Sequence, residues 1–591
     1  MLTWPGAVVA SRGTQPSSQR MATTKSSALN AAALFTGGAF VGAALYTVAR
    51  SLVQASITKT PKSQVKLVEA PPKAPGPDQD EQGLYVAPVE SDAASMYDVC
   101  GVMGQPYEPR SAIPAVQPQD THVDLGTDTT LVSDVQDLPN LNKNMLTLSL
   151  LVMEMLALEY SGTIFTYESS STGFGAFCES QHDKRVIPMQ TRAGAGQAVV
   201  GFVAGQGSSG SAVPNSSSTV TVLTNAAGFL AMGPSLATIP ADNTDLVVHV
   251  SGINQGMHDD LRVANDYASA LSTAAMLSDV GYEVVLSASR QEAIDVAHYA
   301  YTRKTKRAFV HIFDGAYAAC ERSVLSPPSS KAPEPCTYTG PSAPATALVM
   351  PHGAMSHRAR ALLLSLPSHL RGKVGIVSVR RLGSWDAAVL RRAVPTSVQT
   401  LRVVEEAFSS TDGALYADVL ESVLSGALRG VRAQSLVLAP GQALCPEAWL
   451  ALLSLAAEQA TPFSLKDVLA RAAAVQVPDL MPFSNSHLVT FVGTDAGVSV
   501  PTAELLARSL FNASKHVRML SRYDNYAAGG AVRSDVLMSE RPGVDVPMDV
   551  LARDGTSHVV VVSEPASLLP GYRVLEALRQ DGTLVLNAAN W

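Results

Sequence analysis

The chain has 591 residues, which suggests roughly three or four domains with enough apolar material for large cores. Charged residues make up 16% and hydrophobic residues 46% of it, so most of the chain is predicted to be globular. The formal net charge of −8 argues against nucleic acid as a partner, because phosphate binding requires a basic surface. The five cysteines form no CxxC pair, which favours free thiols and excludes the common cysteine-clustered iron–sulfur sites from this chain.

Residues 1–60 combine basic charge with a long apolar stretch. No acidic residue precedes Glu69, and 24 uncharged residues, Ser26–Ala49, lie between two basic ones. A helix of that length spans a bilayer at about 1.5 Å per residue, and a GxxxG pair within it can bring two such helices together. We predict a targeting segment or a membrane-anchoring helix behind a mitochondrial-type leader; a cleaved targeting peptide or an ordinary apolar helix is the alternative. The residues assigned to the membrane helix include Ala28, Gly38, Gly42 and Ala49.

Residues 61–140 are predicted to be a linker. Proline, glycine and acidic residues recur there, as in the stretch from Lys73 to Gly83. That composition suits an extended tether rather than a packed core.

Residues 141–325 alternate short β-branched runs with helical patterns, which is typical of a parallel α/β layer. The clearest unit is the helix after Ser289, because Ser289 and Glu292 have the spacing of a capping box. The strand Ala308–Gly315 follows that helix. We predict the first α/β domain here.

Two further α/β units follow a boundary at residues 326–344 that is rich in proline and serine. The second covers residues 345–475 and repeats the alternation of strands and helices. The third covers residues 485–591; it begins with a strand at His487 and ends with a helix over residues 571–580 and a last strand. The sequence therefore predicts three successive, mainly parallel α/β domains.

Three segments carry a resemblance to a known family: Gly194, the run Thr224–Pro234 (TNAAGFLAMGP), and Phe313-Asp314-Gly315. They resemble the thiamine-pyrimidine-binding domain of the pyruvate:ferredoxin oxidoreductases. They resemble still more closely the degenerate copy of that domain in the flavoprotein subunits of fungal assimilatory sulfite reductases. The resemblance covers roughly residues 157–591. It implies an oxidoreductase domain II-like second unit and a gamma-domain-like third unit that is truncated at its C-terminus.

The resemblance also implies which thiamine positions have been lost. The active oxidoreductases carry a glutamate two residues before a glycine, and Arg192 stands in that place here. They carry a substrate-binding arginine where this chain has Ile253. An arginine cannot accept the aminopyrimidine proton, since its pKa lies above about 12. We therefore expect a body without thiamine catalysis, and we assign no catalytic or metal-binding residue.

Glycines of the third unit are the candidate contacts for a cofactor, because they follow a strand and precede a helix. A role in packing is the alternative. Two histidines after a strand, His352 and His357, have no cysteine or carboxylate at ligand spacing, which favours a loop or capping role. Asp314 follows a buried strand and suits either a turn cap or a functional carboxylate. The candidate glycines are Gly493, Gly497, Gly529 and Gly530, the last two by resemblance to a Gly-Gly-x-x-x-Ser loop.

The function expected from the resemblance is the scaffold part of a flavoprotein subunit in NADPH-dependent reduction of sulfite to sulfide. Electrons would pass from NADPH through FAD and FMN to sirohaem and an iron–sulfur cluster, all on a module after residue 591 or on a haem-bearing beta subunit. The body is expected to be cytoplasmic by this resemblance, whereas the N-terminal segment suggests membrane anchoring with a leader of mitochondrial type. An active 2-oxoacid:ferredoxin oxidoreductase subunit and a membrane-tethered structural protein are the alternatives.

Overall fold

The computed structural model divides the chain into two compact units, Met1–Val53 with Val135–Trp591, and Gln54–Asp134. The described residues all belong to the first unit. The predicted membrane helix, the linker, Arg192, Ile253 and Gly529 lie outside the described residues. The structure describes residues 7–11, 146–167, 169, 173–191, 194–208, 218–252, 267–382, 386–408, 413–439, 444–478, 480, 486–494, 497–513, 515–523, 530–540, 546–568 and 573–587.

The strands of the described residues are numbered in chain order. They are β1 (Ala7–Ser11), β2 (Leu146–Leu148), β3 (Thr163–Tyr167), β4 (Val186–Met189), β5 (Val220–Asn225), β6 (Leu246–Ser251), β7 (Glu283–Leu286), β8 (Phe309–Phe313), β9 (Glu321–Val324), β10 (Cys336–Thr339), β11 (Thr346–Pro351), β12 (Val374–Val379), β13 (Arg381–Leu382), β14 (Thr400–Glu406), β15 (Arg432–Leu438), β16 (His487–Thr494), β17 (His516–Tyr523), β18 (Ala531–Ser539), β19 (Ser557–Val562) and β20 (Leu578–Asn587).

The helices alternate with these strands through most of the described chain. They are α1 (Ser149–Tyr160), α2 (Ala176–Ser180), α3 (Gln197–Ser208), α4 (Ala226–Leu236), α5 (Tyr267–Asp279), α6 (Arg290–Thr302), α7 (Gly315–Cys320), α8 (Ala354–Leu363), α9 (Ser368–Arg371), α10 (Ala387–Ala393), α11 (Ala414–Leu424), α12 (Pro446–Glu458), α13 (Leu465–Ala472), α14 (Ser499–Asn512), α15 (Met548–Leu551) and α16 (Pro565–Leu568). Among them, none is both long and apolar enough to cross a membrane.

The first layer is a seven-stranded sheet in the order β13–β7–β8–β6–β5–β3–β4. Every pairing in it is parallel except that of the short strand β13 with β7. Strands such as β6 and β8 are buried at every position, as expected where helices cover both faces of a parallel sheet. The capping box predicted for α6 is confirmed, since the Ser289 side chain accepts from the Glu292 amide and the Glu292 carboxylate accepts in return.

The second layer is a five-stranded sheet in the order β10–β12–β11–β14–β15. It is parallel except for β10, which pairs antiparallel with β12. One apolar cluster runs from the first layer into the second and includes Val248 of β6 and Val349 of β11. The first two layers therefore share a continuous core.

The third layer differs from the predicted pattern. Its eight strands follow the order β1–β20–β19–β16–β18–β17–β9–β2, and antiparallel pairings outnumber parallel ones. Antiparallel pairing arises because β18 begins at Ala531, only a few residues after β17 ends at Tyr523, whereas a parallel crossover needs about a dozen or more residues. Strands β2 and β9, which come from the range of the first predicted domain, extend this sheet. The α/β class is confirmed, and two of the three sheets are mainly parallel as predicted.

The last helix predicted from the sequence, over residues 571–580, is wrong. Val574–Ala577 form a single 3₁₀ turn, and β20 begins at Leu578. Parallel pairing of β20 with β19 gives its backbone groups partners that a short isolated helix would lack.

Candidate functional site

The carboxyl ends of strands from the first two layers meet in one place. Ser289 follows β7 of the first layer, whereas His352 and Arg380 directly follow β11 and β12 of the second. Loops at the carboxyl ends of parallel strands are the usual position of functional side chains in α/β folds. This edge is therefore the candidate functional site.

Glu292, in the first turn of α6, connects the first layer to the second. Its Oε2 accepts a hydrogen bond from Nε2 of His352 at 2.7 Å and one from the backbone N–H of Ala288 at 3.1 Å. Its Oε1 accepts from Nη2 of Arg380 at 2.7 Å. The same carboxylate thus caps its own helix and holds two side chains of the neighbouring layer.

The charges of His352 and Glu292 at pH 7 follow from their burial and from the neighbouring arginines. Burial, with Arg380 and Arg360 nearby, lowers the pKa of His352 to about 4 in spite of the opposing charge of Glu292. His352 is therefore neutral at pH 7, and we assign its proton to Nε2, because the Glu292 carboxylate beside that nitrogen can only accept a hydrogen bond. Burial would raise the pKa of Glu292, but His352 and Arg380 outweigh it and hold that pKa well below its usual range. Since His352 is neutral, Arg380 is the permanent charge that keeps Glu292 ionised.

A second ion pair connects the second layer to the third. Nε of Arg358, on α8, donates to Oδ2 of Asp549, on α15, at 2.6 Å. The guanidinium carbon of Arg358 lies 5.9 Å from the ring centre of Tyr317. Burial opposes the ionisation of Asp549, but Arg358 outweighs it, so the pKa of Asp549 lies below its usual range.

A third ion pair connects the first layer to the third. The pair that joins the two layers is Arg290, the first residue of α6, with Glu321, the first residue of β9 in the third layer. Within the third layer, Glu321 also accepts from Nε of Arg518 on β17 at 2.7 Å. Its side chain is only 1% exposed. The backbone supports this contact, because Leu520 of β17 stands opposite Glu321 in the antiparallel ladder.

Residues of all three layers line a small cavity beside Arg290, Glu321 and Arg518. Its volume is about 10 Å³, close to the minimum for one water molecule. We call the side chains of the three groups of ion pairs the junction cluster. The cluster consists of Arg290, Glu292, Glu321, His352, Arg358, Arg380, Arg518 and Asp549. The cavity itself is lined by Ala288, Ser289, Arg290, Tyr317, Glu321, His357, Arg518 and Pro547.

Carboxylates of the chain also accept hydrogen bonds from backbone N–H groups at several helix starts and strand ends. Glu154 accepts from the Cys178 amide at 2.9 Å, and Glu405 accepts from the first amides of α11, at Leu415 and Tyr416, at 3.0 and 2.8 Å. Glu564 accepts from the Thr494 amide at 3.1 Å. Such N–H groups are where an anionic ligand would bind, so the protein's own side chains fill these positions.

Thiamine diphosphate, the cofactor implied by the sequence resemblance, requires a carboxylate that faces the aminopyrimidine. At the carboxyl edge of the first sheet, Glu179 accepts from the Thr166 hydroxyl at 2.5 Å and Asp314 accepts from the Tyr317 amide at 3.2 Å. Glu154 and Glu292 are engaged as described above. Each of these four carboxylates thus accepts at least one internal hydrogen bond, which argues against that role.

The predicted cofactor glycines lie in the third layer. Gly493 is in β16, opposite Val532, and a Cβ on it would overlap the hydroxyl groups of Ser499 and Ser563. A Cβ on Gly497 would lie 2.8 Å from Oε1 of Glu564. Gly530 immediately precedes β18, and Gly529 lies outside the described residues. These contacts support a packing role for Gly493 and Gly497, while contact of the four glycines with a cofactor stays a prediction.

The sequence did not indicate the junction cluster. The absence of a carboxylate near His352 in the chain favours a loop or capping role for it, yet Glu292 contacts it from 60 residues upstream. One indication in the sequence is that Ser289, His352 and Arg380 each follow a strand pattern. Asp314 acts as the predicted turn cap, at the start of α7. Within the described residues, no group of three or more metal-ligating side chains could hold an ion.

Comparison with known proteins gives a partial relationship. No family model matches the chain. A stretch of 132 residues, 22% of the chain, is 31% identical to a pyruvate-flavodoxin oxidoreductase from Nostoc sp. and spans only 10% of that protein's length. An inactive beta4 tetramer of a split-gene transketolase matches 55% of the chain and 96% of its own, with a TM-score of 0.36 and 15% identity.

A 2-oxoglutarate:ferredoxin oxidoreductase from Magnetococcus marinus matches 53% of the chain and 65% of its own, with a TM-score of 0.38 and 10% identity. Both structural scores are low, so the fold description depends on the sheet topology given above. The sequence match shows that part of the chain is similar to a pyruvate-flavodoxin oxidoreductase. The finer resemblance to sulfite reductase flavoproteins stays a prediction.

Proposed function

We propose that this chain is the scaffold component of an oxidoreductase, with a thiamine-type α/β body that no longer binds thiamine diphosphate. The observation that carries the proposal is the junction cluster. At the edge where an α/β enzyme of this kind would bind its substrate, ion pairs of the chain itself connect the three layers, and the cavity beside Arg290 and Glu321 has a volume of only about 10 Å³. Groups arranged in this way hold domains in register, whereas a catalytic site would keep charged groups available to a substrate.

The finer form of the proposal is a role in NADPH-dependent sulfite reduction. Here the scaffold would position an FAD- and NADPH-binding module relative to a subunit that bears sirohaem and an iron–sulfur cluster. The support for this form is the resemblance of residues 157–591 to the flavoprotein subunits, together with Arg192 and Ile253 at the lost thiamine positions. The whole activity belongs to that larger assembly.

Thiamine binding is the direct test. We expect no saturable heat change when the purified chain is titrated with thiamine diphosphate and magnesium. A guanidinium at residue 192 offers only hydrogen-bond donors and a fixed positive charge to the aminopyrimidine. The variant Arg192→Glu is the matched comparison; it restores the carboxylate but leaves Ile253, so it should at most bind weakly and should not decarboxylate pyruvate.

Saturable binding by the unmodified chain in the micromolar range, about −8 kcal/mol, would contradict the proposal. It would favour the alternative of a 2-oxoacid oxidoreductase subunit that retains thiamine chemistry. Co-purification with a haem-bearing subunit would then test the sulfite reductase form separately, since that interaction does not require an occupied thiamine site.

A further inference from the structure

The second layer is strongly basic in a chain that is acidic overall. Between residues 351 and 404 the sequence has nine lysines and arginines and a single acidic residue, Asp386, although the formal net charge of the whole chain is −8. Some of these basic side chains are used internally. Arg358 and Arg380 belong to the junction cluster, and Arg402 is buried with its guanidinium 4.1 Å from the ring centre of Phe463.

Six exposed basic residues of the second layer lie toward the amino edge of its sheet. They form three pairs, one before each of the strands β12 and β14 and one at the start of β15. We call these six residues the basic edge: Arg371 and Lys373, Arg391 and Arg392, and Arg429 and Arg432.

Backbone hydrogen bonds fix these connections side by side. The amide of Thr346, at the start of β11, donates to the Lys373 carbonyl at 3.1 Å. On the other side, the Arg432 amide donates to the Gln399 carbonyl at 2.9 Å, just before β14. Since neighbouring strands lie about 4.8 Å apart, Lys373 and Arg432 mark the ends of a row roughly 15 Å long.

The side chains of the basic edge are available. All six residues are exposed, and among the described residues none of them forms an ion pair with an acidic group. Arg371 donates one hydrogen bond to the Leu364 carbonyl at 3.0 Å. By contrast, Arg381 and Arg471, which are also exposed, pair with Glu283 and Glu458.

Helix ends explain only part of this arrangement. Arg371, Arg391 and Arg392 occupy the last turns of α9 and α10, where a cation interacts favourably with the helix dipole. Lys373 and Arg429 lie beyond the helix ends, and Arg432 is the first residue of β15. The dipole therefore does not account for these three.

We propose that the basic edge docks a segment or patch of a partner protein in which carboxylates are clustered. Five of its six residues are arginines, which can form bidentate hydrogen bonds with carboxylates. A long polyanion such as nucleic acid would extend past this short row onto a body that is negatively charged overall. The six residues also include no aromatic side chain on which a base could stack. The inference depends only on charge and exposure, and it is independent of the proposed loss of thiamine binding.

Polyglutamate is the probe for the test, with binding to the full chain followed by fluorescence anisotropy of the labelled peptide. We compare Arg391→Gln/Arg392→Gln and Arg429→Gln/Arg432→Gln with Lys304→Gln/Lys306→Gln. The control removes the same charge from an exposed basic pair after α6 in the first layer. We expect saturable binding at an ionic strength on the order of 0.1 M, where distant exposed charges are screened. Each basic-edge variant should weaken it by about five- to tenfold, and the control by less than about twofold.

Three outcomes would overturn the proposal: no saturable binding, an equal loss in the control variant, or tighter binding of duplex DNA or of phosphatidylserine vesicles than of polyglutamate under the same conditions. The last outcome would assign the basic edge to nucleic acid or to a membrane surface. Circular dichroism and the thermal midpoint of each variant separate a lost contact from a lost fold. The substituted side chains are exposed, so both quantities should stay unchanged.

Discussion

Glu292 performs two functions that the sequence shows only in part. Its capping-box spacing with Ser289 predicts a helix start, and the structure confirms that. The second function, holding His352 and Arg380 of another layer, depends on a contact between residues 60 and 88 positions apart in the chain. Local spacing carries no information on such a contact.

The substitution Glu292→Gln tests the second function. Glutamine keeps the size of the side chain and can still cap α6, but it leaves Arg380, which is 10% exposed, without its anion. We expect a loss of about 1–3 kcal/mol in the free energy of unfolding, measured by urea denaturation. The control is Asp467→Asn, in the exposed capping box of α13, which has no arginine or histidine partner in another layer. An equal effect in both variants would show that capping alone explains the role of Glu292.

His352 should make the stability depend on pH. Its folded pKa is about 4, whereas an unfolded histidine titrates near 6.5. As the pH falls below about 6.5, His352 becomes protonated in the unfolded state but not in the folded state, so the free energy of unfolding decreases. The decrease ends near pH 4, because His352 is protonated in both states below that pH. Between about pH 6.5 and pH 4, His352 lowers the free energy of unfolding by roughly 3 kcal/mol in total.

The variant His352→Gln isolates that contribution. His249 and His311 are also fully buried, and burial lowers the pKa of each, to about 3 for His249. The unmodified protein should therefore take up several protons on unfolding near pH 5, and the variant about one fewer, as measured by the pH dependence of the unfolding midpoint. An unchanged slope would mean that His352 is charged in the folded protein.

Elements of the first two layers could be predicted because each carries a local signal. Continuous apolar runs mark strands such as β6 and β8, which are buried at every position, and the capping box marks α6. Local signals predict the elements of the third layer less well. Val574, Ala577 and Leu578 have helical spacing, yet β20 begins at Leu578, and its pairing with β19 and β1 decides the outcome.

Strand β9 is the element whose role depends most on tertiary contacts. It pairs with β2 on one side and with β17 on the other, and Glu321 anchors it through Arg290 and Arg518. Substituting Glu321→Gln removes from both arginines a carboxylate that is 1% exposed. We expect amide hydrogen exchange at β9 and β2 to become at least about tenfold faster, while β6 and β8 stay protected.

The neighbouring substitution Arg322→Ala serves as the control for this strand. Arg322 is 36% exposed and pairs with Glu504, so its loss should change the exchange of β9 little. Similar acceleration in both variants would show that β9 is held by backbone pairing and has no need of the buried ion pair.

At the scale of the whole molecule, the layers are joined in two different ways. The first and second layers share an apolar cluster, and Glu292 adds a polar contact to it. The third layer has apolar clusters of its own, with fewer apolar links to the other two: Val550 of α15 lies in the cluster of the second layer, and Tyr317 of α7 lies in a cluster of the third. Its ion pairs to the other two layers are Arg290–Glu321 and Arg358–Asp549. Burial of apolar surface is the larger and less specific contribution, whereas ion pairs depend on both partners being present.

This difference predicts how the body unfolds. We expect the unmodified chain to show one main calorimetric transition for the three layers, because each is in contact with the other two. The double variant Glu321→Gln/Asp549→Asn should uncouple the third layer and give two transitions, with the shared core of the first two layers melting last. The matched double variant Glu292→Gln/Asp467→Asn removes two carboxylates outside the contacts of the third layer, and it should lower the midpoint but keep a single transition. A single transition in both double variants would mean that strand pairing through β9 and β2 is sufficient to couple the third layer to the first.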